Sequence, residues 1–107
     1  MTEKNQYLQL ETEVVKALKT VIDPELKIDI YDLGMIYKVE VDDSNNLYIE
    51  MTFTAPNCPM AGDIVREVYQ KTEAVEGINE VKVKLVFDPP WTKDMMSDEA
   101  KLEAGFL

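Results

Sequence analysis

Two stretches of strict alternation, parted by a turn-forming cluster, set the limits on what this chain can fold into. In the first, Met35 to Val41, the residues Tyr37, Val39 and Val41 fall on one face against Lys38 and Glu40. In the second, Leu47, Ile49, Met51 and Phe53 share a face, with Tyr48, Glu50, Thr52 and Thr54 opposite, toward solvent. A period of two is that of a strand with one buried side. Between them, Asp42-Asp43-Ser44-Asn45-Asn46 is rich in side chains that bond their own backbone in turns. The pair predicts a β-hairpin, and an isolated hairpin is marginal in water, so the flanking segments must cover it.

Both flanks supply a helix. Leu10, Val14, Ala17, Leu18 and Val21 recur at helical spacing, predicting an amphipathic helix from about Leu8 to Ile22. Pro24 stops it, because a proline pushes the residue before it out of the α region. The loop that follows, 23–34, is too apolar for a free linker, and Ile28, Ile30 and Leu33 are expected to tuck it against the core. Beyond the hairpin, Met60, Ile64, Val65, Val68, Tyr69 and Val75 mark a second amphipathic helix, with Gly77 placed to end it.

A third strand follows, with Val81, Val83, Leu85 and Phe87 inward against Lys82, Lys84, Val86 and Asp88. The pattern leaves its neighbour in the sheet open. The order α-β-β-α-β predicts an α+β fold, a two-layer sandwich with helices over a small three-stranded mixed sheet. Ser97 before Asp98 and Glu99 predicts the N-cap of a short last helix to about Ala104. Residues 1–107 are read as one domain, with 88–107 a C-terminal extension packing on it.

Composition narrows the function. Eleven basic against twenty-one acidic side chains give a net charge of −10, which disfavours nucleic acid as a partner. No apolar run approaches the roughly 18–20 residues that span a bilayer, and the first residues carry no leader-like stretch. Those features, with a single cysteine, predict a cytoplasmic protein without a membrane partner. The absence of histidine excludes a His general base, a Cys-His pair within the chain and any imidazole zinc site.

The single cysteine, Cys58, lies in Thr-Phe-Thr-Ala-Pro-Asn-Cys-Pro-Met, where a strand pattern gives way to a helix pattern. Pro59 suits the first position of a helix, which puts Cys58 at or beside the N-cap. A thiol facing the positive end of a helix ionises more readily, and the thiolate is the form that attacks or binds metal. The plainer alternative is a small buried hydrophobe. Thr52 and Thr54, just upstream, are placed to offer hydroxyls. Asp23, Glu25, Asp29 and Asp32 cluster in the first loop, either as solvated or turn-capping carboxylates or with Asp23, Glu25 or Asp32 facing Cys58 across the sheet edge. Trp91, after two prolines, is either a lid on the open end of the core or an anchor for a partner.

Five fragments in order resemble the SufT/PaaD-like family of metal–sulfur cluster assembly proteins. They are Asp23-Pro24-Glu25-Leu26, Asp32 to Tyr37, Met51 to Pro59, Val86 to Thr92, and Met96 to Leu102. The resemblance runs from about Thr12 to Gly105 and implies a small domain of the kind used in iron–sulfur cluster assembly. It implies an auxiliary factor, not an enzyme, that matures or delivers clusters to apo-proteins with Cys58 as ligand or transfer thiol. By similarity Asp23, Glu25, Asp32, Thr54 and Cys58 line the shared site, with Thr52 beside them. The implied cargo is a transient iron–sulfur cluster, and the implied partners are the assembly machinery and its apo-protein clients. Clusters usually take four protein ligands, so one sulfur per chain, or two in a homodimer, leaves the shell incomplete. Two rival readings stand beside this one. The first is a thiol-dependent enzyme with Cys58 as nucleophile, weakened by the absence of an evident base. The second is a client-docking adaptor working through Trp91 that binds no metal.

Overall fold

A computed structural model of the chain describes residues 3–54 and 61–106. The elements are α1 (Glu3–Leu18), β1 (Ile36–Val41), β2 (Leu47–Met51), α2 (Ala61–Glu73), β3 (Val81–Leu85) and α3 (Asp98–Glu103), with a single 3-10 turn at Lys93–Met95. The expected order and the expected mixed three-stranded sheet are both present. The sheet runs β1-β2-β3, with β1 antiparallel and β3 parallel to β2, which answers where the third strand lies. A parallel neighbour needs a crossover, and α2 is that crossover.

The hairpin turn is built from its own side chains. Asn45 N–H donates to the Asp42 carbonyl (3.0 Å) and Asp42 N–H to the Asn46 carbonyl (3.0 Å), while Asn45 takes a left-handed φ of +62°. This is a type I turn closed by a left-handed residue, a common three-residue hairpin loop. Asp42 Oδ1 accepts from the N–H groups of Ser44 and Asn46, each at 2.9 Å. Those donors, the Asn46 N–H foremost, hold the Asp42 carboxyl below its ordinary pKa.

Both long helices cover one face of the sheet. Leu47, Ile49 and Met51 of β2 are fully enclosed there, with Val14 and Leu18 of α1 and Ile64 and Val68 of α2 packed into the same core. The helix-free face is polar, and the strand register sets its side chains in two rows, Lys38-Glu50-Lys84 and Glu40-Tyr48-Lys82. Ile28, Ile30 and Leu33 are buried, as expected of a loop that folds back on the core.

Several boundaries differ from the sequence reading, the first being the start of α1 at Glu3, ahead of the expected Leu8. Helix α1 ends at Leu18, not at Ile22. Thr20-Val21-Ile22 is β-branched, Ile30 N–H donates to the Val21 carbonyl (2.9 Å), and Ile22 pairs with Asp29 in an antiparallel bridge. The long-range pairing takes these residues out of the helix well before Pro24. Helix α2 ends at Glu73 and leaves Val75 in the following turn. Strand β3 stops at Leu85, and Leu85 and Phe87, expected inward, are 41% and 49% exposed. The core under that end of the sheet is already filled by Met51 and Phe53. Ser97 caps α3 as expected, accepting from Ala100 N–H at 3.1 Å.

Candidate functional site

The sequence reading converges on the end of the sheet where β2 exits toward Cys58. The β1–β2 ladder continues one step past the strands, with Thr52 N–H donating to the Met35 carbonyl (2.8 Å). Met35 N–H in turn donates to the Ile30 carbonyl (3.1 Å). The first loop is thus bonded to the same strand end that runs into the cysteine segment. Cys58 itself, with Pro56 and Pro59, lies outside the described residues, and so does its expected place at the N-cap.

Asp23 is the most deeply buried carboxylate of the loop. It is 2% exposed, and its Oδ1 accepts from Glu25 N–H (2.8 Å) and Leu26 N–H (3.1 Å). Its backbone is tied as well, N–H to the Ile28 carbonyl (3.0 Å) and carbonyl to Lys27 N–H (2.8 Å). This is the turn-capping alternative of the sequence reading. The neighbouring Glu25 is exposed, and Lys27 closes the turn with a left-handed φ of +59°.

Asp29 and Asp32 form a second cap. Asp29 Oδ2 accepts from Asp32 N–H at 2.9 Å. Burial raises the Asp29 pKa above its ordinary value, the Asp32 N–H pulls it back, and the Asp32 charge pushes it up again. Asp32 is half-buried, with Lys19 Nζ 3.9 Å from its carboxylate and 5.5 Å from the centre of the Tyr31 ring. Among the described residues, no three acidic or thiol side chains converge to hold a metal ion.

The two threonines part company. Both were expected on the solvent side, but Thr52 is 1% exposed, and only Thr54 keeps partial access. The C-terminal segment encloses this end of the helix-free face. Tyr37 Oη donates to the Pro89 carbonyl (2.8 Å) and reaches Met95 Sδ (3.4 Å). Burial raises the Tyr37 pKa, and a hydrogen bond with the Thr52 side chain opposes the rise.

The same segment clamps the acidic loop. Trp91 Nε1 donates to the Leu33 carbonyl (2.6 Å), and Ser97 N–H donates to the Asp32 carbonyl (2.8 Å). Gly34 takes φ +81°, and a Cβ added there would run into the Met95 carbonyl. Trp91 is half-buried, so the ring combines a packing role with partial exposure. Sequence reasoning overlooked Tyr37 and Gly34 as parts of this assembly. Their only trace was their place within the Asp32 to Tyr37 fragment, since their partners lie some fifty or more residues on.

With this geometry in place, residues 11–85 match the family model described as iron–sulfur cluster assembly protein. The chain belongs to that family. It is 50% identical over 103 residues to an Fe-S protein maturation auxiliary factor of Porphyromonas gingivalis, covering 96% of this chain and 98% of the relative. It is 47% identical over 85 residues to the Fe-S protein maturation auxiliary factor SufT of Staphylococcus aureus, covering 79% and 97%. The crystal structure of a domain of unknown function, DUF59, from Bacillus anthracis superposes with a TM-score of 0.90 at 40% identity, covering 98% of this chain and all of the other. The SufT-like resemblance is borne out, and these two curated relatives of the family carry names of auxiliary factors, not enzymes. No helix among the described residues is long and apolar enough to cross a membrane.

Proposed function

We propose that this chain is a non-enzymatic auxiliary factor in iron–sulfur protein maturation, working in the cytosol through the thiol of Cys58. The observation that carries the reading is the near end-to-end match to relatives named as maturation factors. Ligand arithmetic supports a transient hold on the cargo. One cysteine and no histidine leave a cluster short of the four ligands it usually takes, so the remainder must come from a donor, a client or small thiols. Transfer is easier from an incomplete shell than from a closed one.

Within this reading the first-loop residues have divided roles. Asp23 shapes the turn that presents the loop, Asp32 and Glu25 supply negative charge at its surface, and Thr54 offers the one partly open hydroxyl beside the cysteine segment. Trp91 braces the loop and presents the remainder of its ring to an assembly partner or an apo-protein client. The chain as a whole acts as one domain, with 88–107 as its brace.

The deciding experiment replaces Cys58→Ser in cells lacking the wild-type gene and measures the activity of an iron–sulfur enzyme whose abundance is checked separately. Loss of activity at normal abundance is expected. Full activity would remove the thiol from the mechanism and leave the adaptor reading, for which Trp91→Ala would be the damaging change.

A further inference from the structure

The two free edges of the sheet are not equivalent. Strand β3 turns the N–H groups of Val81, Val83 and Leu85 away from β2, because Val86 N–H and the Glu80 carbonyl, at even positions, are the ones that bond β2. The middle one of these outward donors is taken: Val83 N–H donates to Tyr69 Oη of α2 at 3.1 Å. That edge is plugged by a side chain.

Strand β1 has no such plug. The hairpin closes on Asp42 and Asn46, so alternation assigns Glu40 and Lys38 to the bonds with β2 and turns the N–H and C=O of Val39 and Val41 outward. Among the described residues, no hydrogen bond is made to those outward groups. A groove of about 280 Å³ runs along the same edge, lined by Glu11, Val15, Tyr31, Tyr37, Lys38 and Val39. Val39 is thus the centre of an unfilled edge.

We propose that β1 pairs antiparallel with β1 of a second copy of this chain, on a two-fold axis through Val39, to give a continuous six-stranded sheet. The register is dictated by charge. Centred on Val39, Lys38 of each copy lies opposite Glu40 of the other, and the two outward-facing valines exchange both backbone bonds. The polar rows of the helix-free face then join as Lys84-Glu50-Lys38 followed by the second copy's Glu40-Tyr48-Lys82, with opposite charges adjacent across the seam. At present Lys38 Nζ leans on Glu40 Oε1 of its own strand at 3.5 Å, so both groups already lie on the seam's surface. A pairing of β3 with β3 would instead set Lys82 and Lys84 against lysines. The occupant that fits β1 is another β1.

This arrangement does not join two thiols. The β2 ends that lead toward Cys58 lie beside Ile36, three residues from the axis, so the two copies hold them about 20 Å apart along the strands. The pair carries two separate sites, and its failure would leave the role of Cys58 untouched.

Sedimentation equilibrium between about 10 μM and 1 mM tests the proposal. The parent chain is expected to approach twice its single-chain mass. Val39→Pro removes an outward donor that β2 does not use, and should raise the dissociation constant at least about tenfold with an unchanged circular dichroism spectrum. Lys38→Glu and Glu40→Lys, each alone, should do the same by setting like charges in opposition, and the double swap should restore pairing. A parent that stays at single-chain mass up to 1 mM overturns the proposal. So does a double swap no better than the single changes, which keeps the test independent of whether the proline variant folds.

Discussion

At the scale of single residues, Asp23 shows how a carboxylate can look like a ligand and act as a cap. Its buried Oδ1 holds two backbone N–H groups of the turn that follows it, and a donor left without a partner there is costly. Asp23→Ala is expected to lower stability by about 1–3 kcal/mol, read as a lower urea midpoint at unchanged slope. Asp23→Asn retains an acceptor oxygen and should recover most of the loss. If the two variants were equally damaging, the charge and not the cap would be the residue's contribution. Glu25, Asp29 and Asp32 differ from Asp23 in kind: one is exposed, one caps the next turn, and one faces Lys19. Four acidic letters in one loop thus hold four environments, which composition does not distinguish.

At the scale of elements, the C-terminal segment is held to the first loop at three consecutive positions, Asp32, Leu33 and Gly34. Gly34 meets two demands at once, a left-handed φ and an approach to Met95 too close for any side chain. Gly34→Ala should therefore destabilise the fold by about 2–4 kcal/mol. The fluorescence of Trp91, the chain's only tryptophan, should show its docking on Leu33 loosening at lower urea than in the parent. Coincident parent-like transitions in the variant would mean that the backbone there yields. Legibility in the sequence follows the same division between local and distant causes. The hairpin and its turn were readable because period-two burial and Asp/Asn turn chemistry act over a few residues. The end of α1 was not, because Ile30 decides it by bonding Val21. Thr52 was misplaced for a like reason: its strand alternates as expected, but the Tyr37 and Pro89 region closes over it. Cys58, the residue on which the functional reading centres, was found by letter and position alone.

At the scale of the whole molecule, the sheet divides the labour between its ends and edges. One end gathers the acidic loop, the clamp and the strand leading to the cysteine. The opposite end holds the Asp42–Asn46 turn, bonded to Asn79 and Glu80 at the entry to β3. A charge of −10 keeps such chains apart in solution, and association must be won locally, where opposite signs are interleaved. The phenol of Tyr69 has a consequence for this balance. A sheet with one sealed border can add a neighbour once and then has nothing left to offer. Tyr69→Phe would free the Val83 N–H while keeping the ring, and Lys82 and Lys84 would then be the guard left on that border. Concentrated Tyr69→Phe protein should therefore stay clear, and adding Lys82→Glu to it, which sets a carboxylate opposite Lys84, should give light scattering that grows with time. A phenol oxygen and two like charges together would separate a finite particle from a fibre.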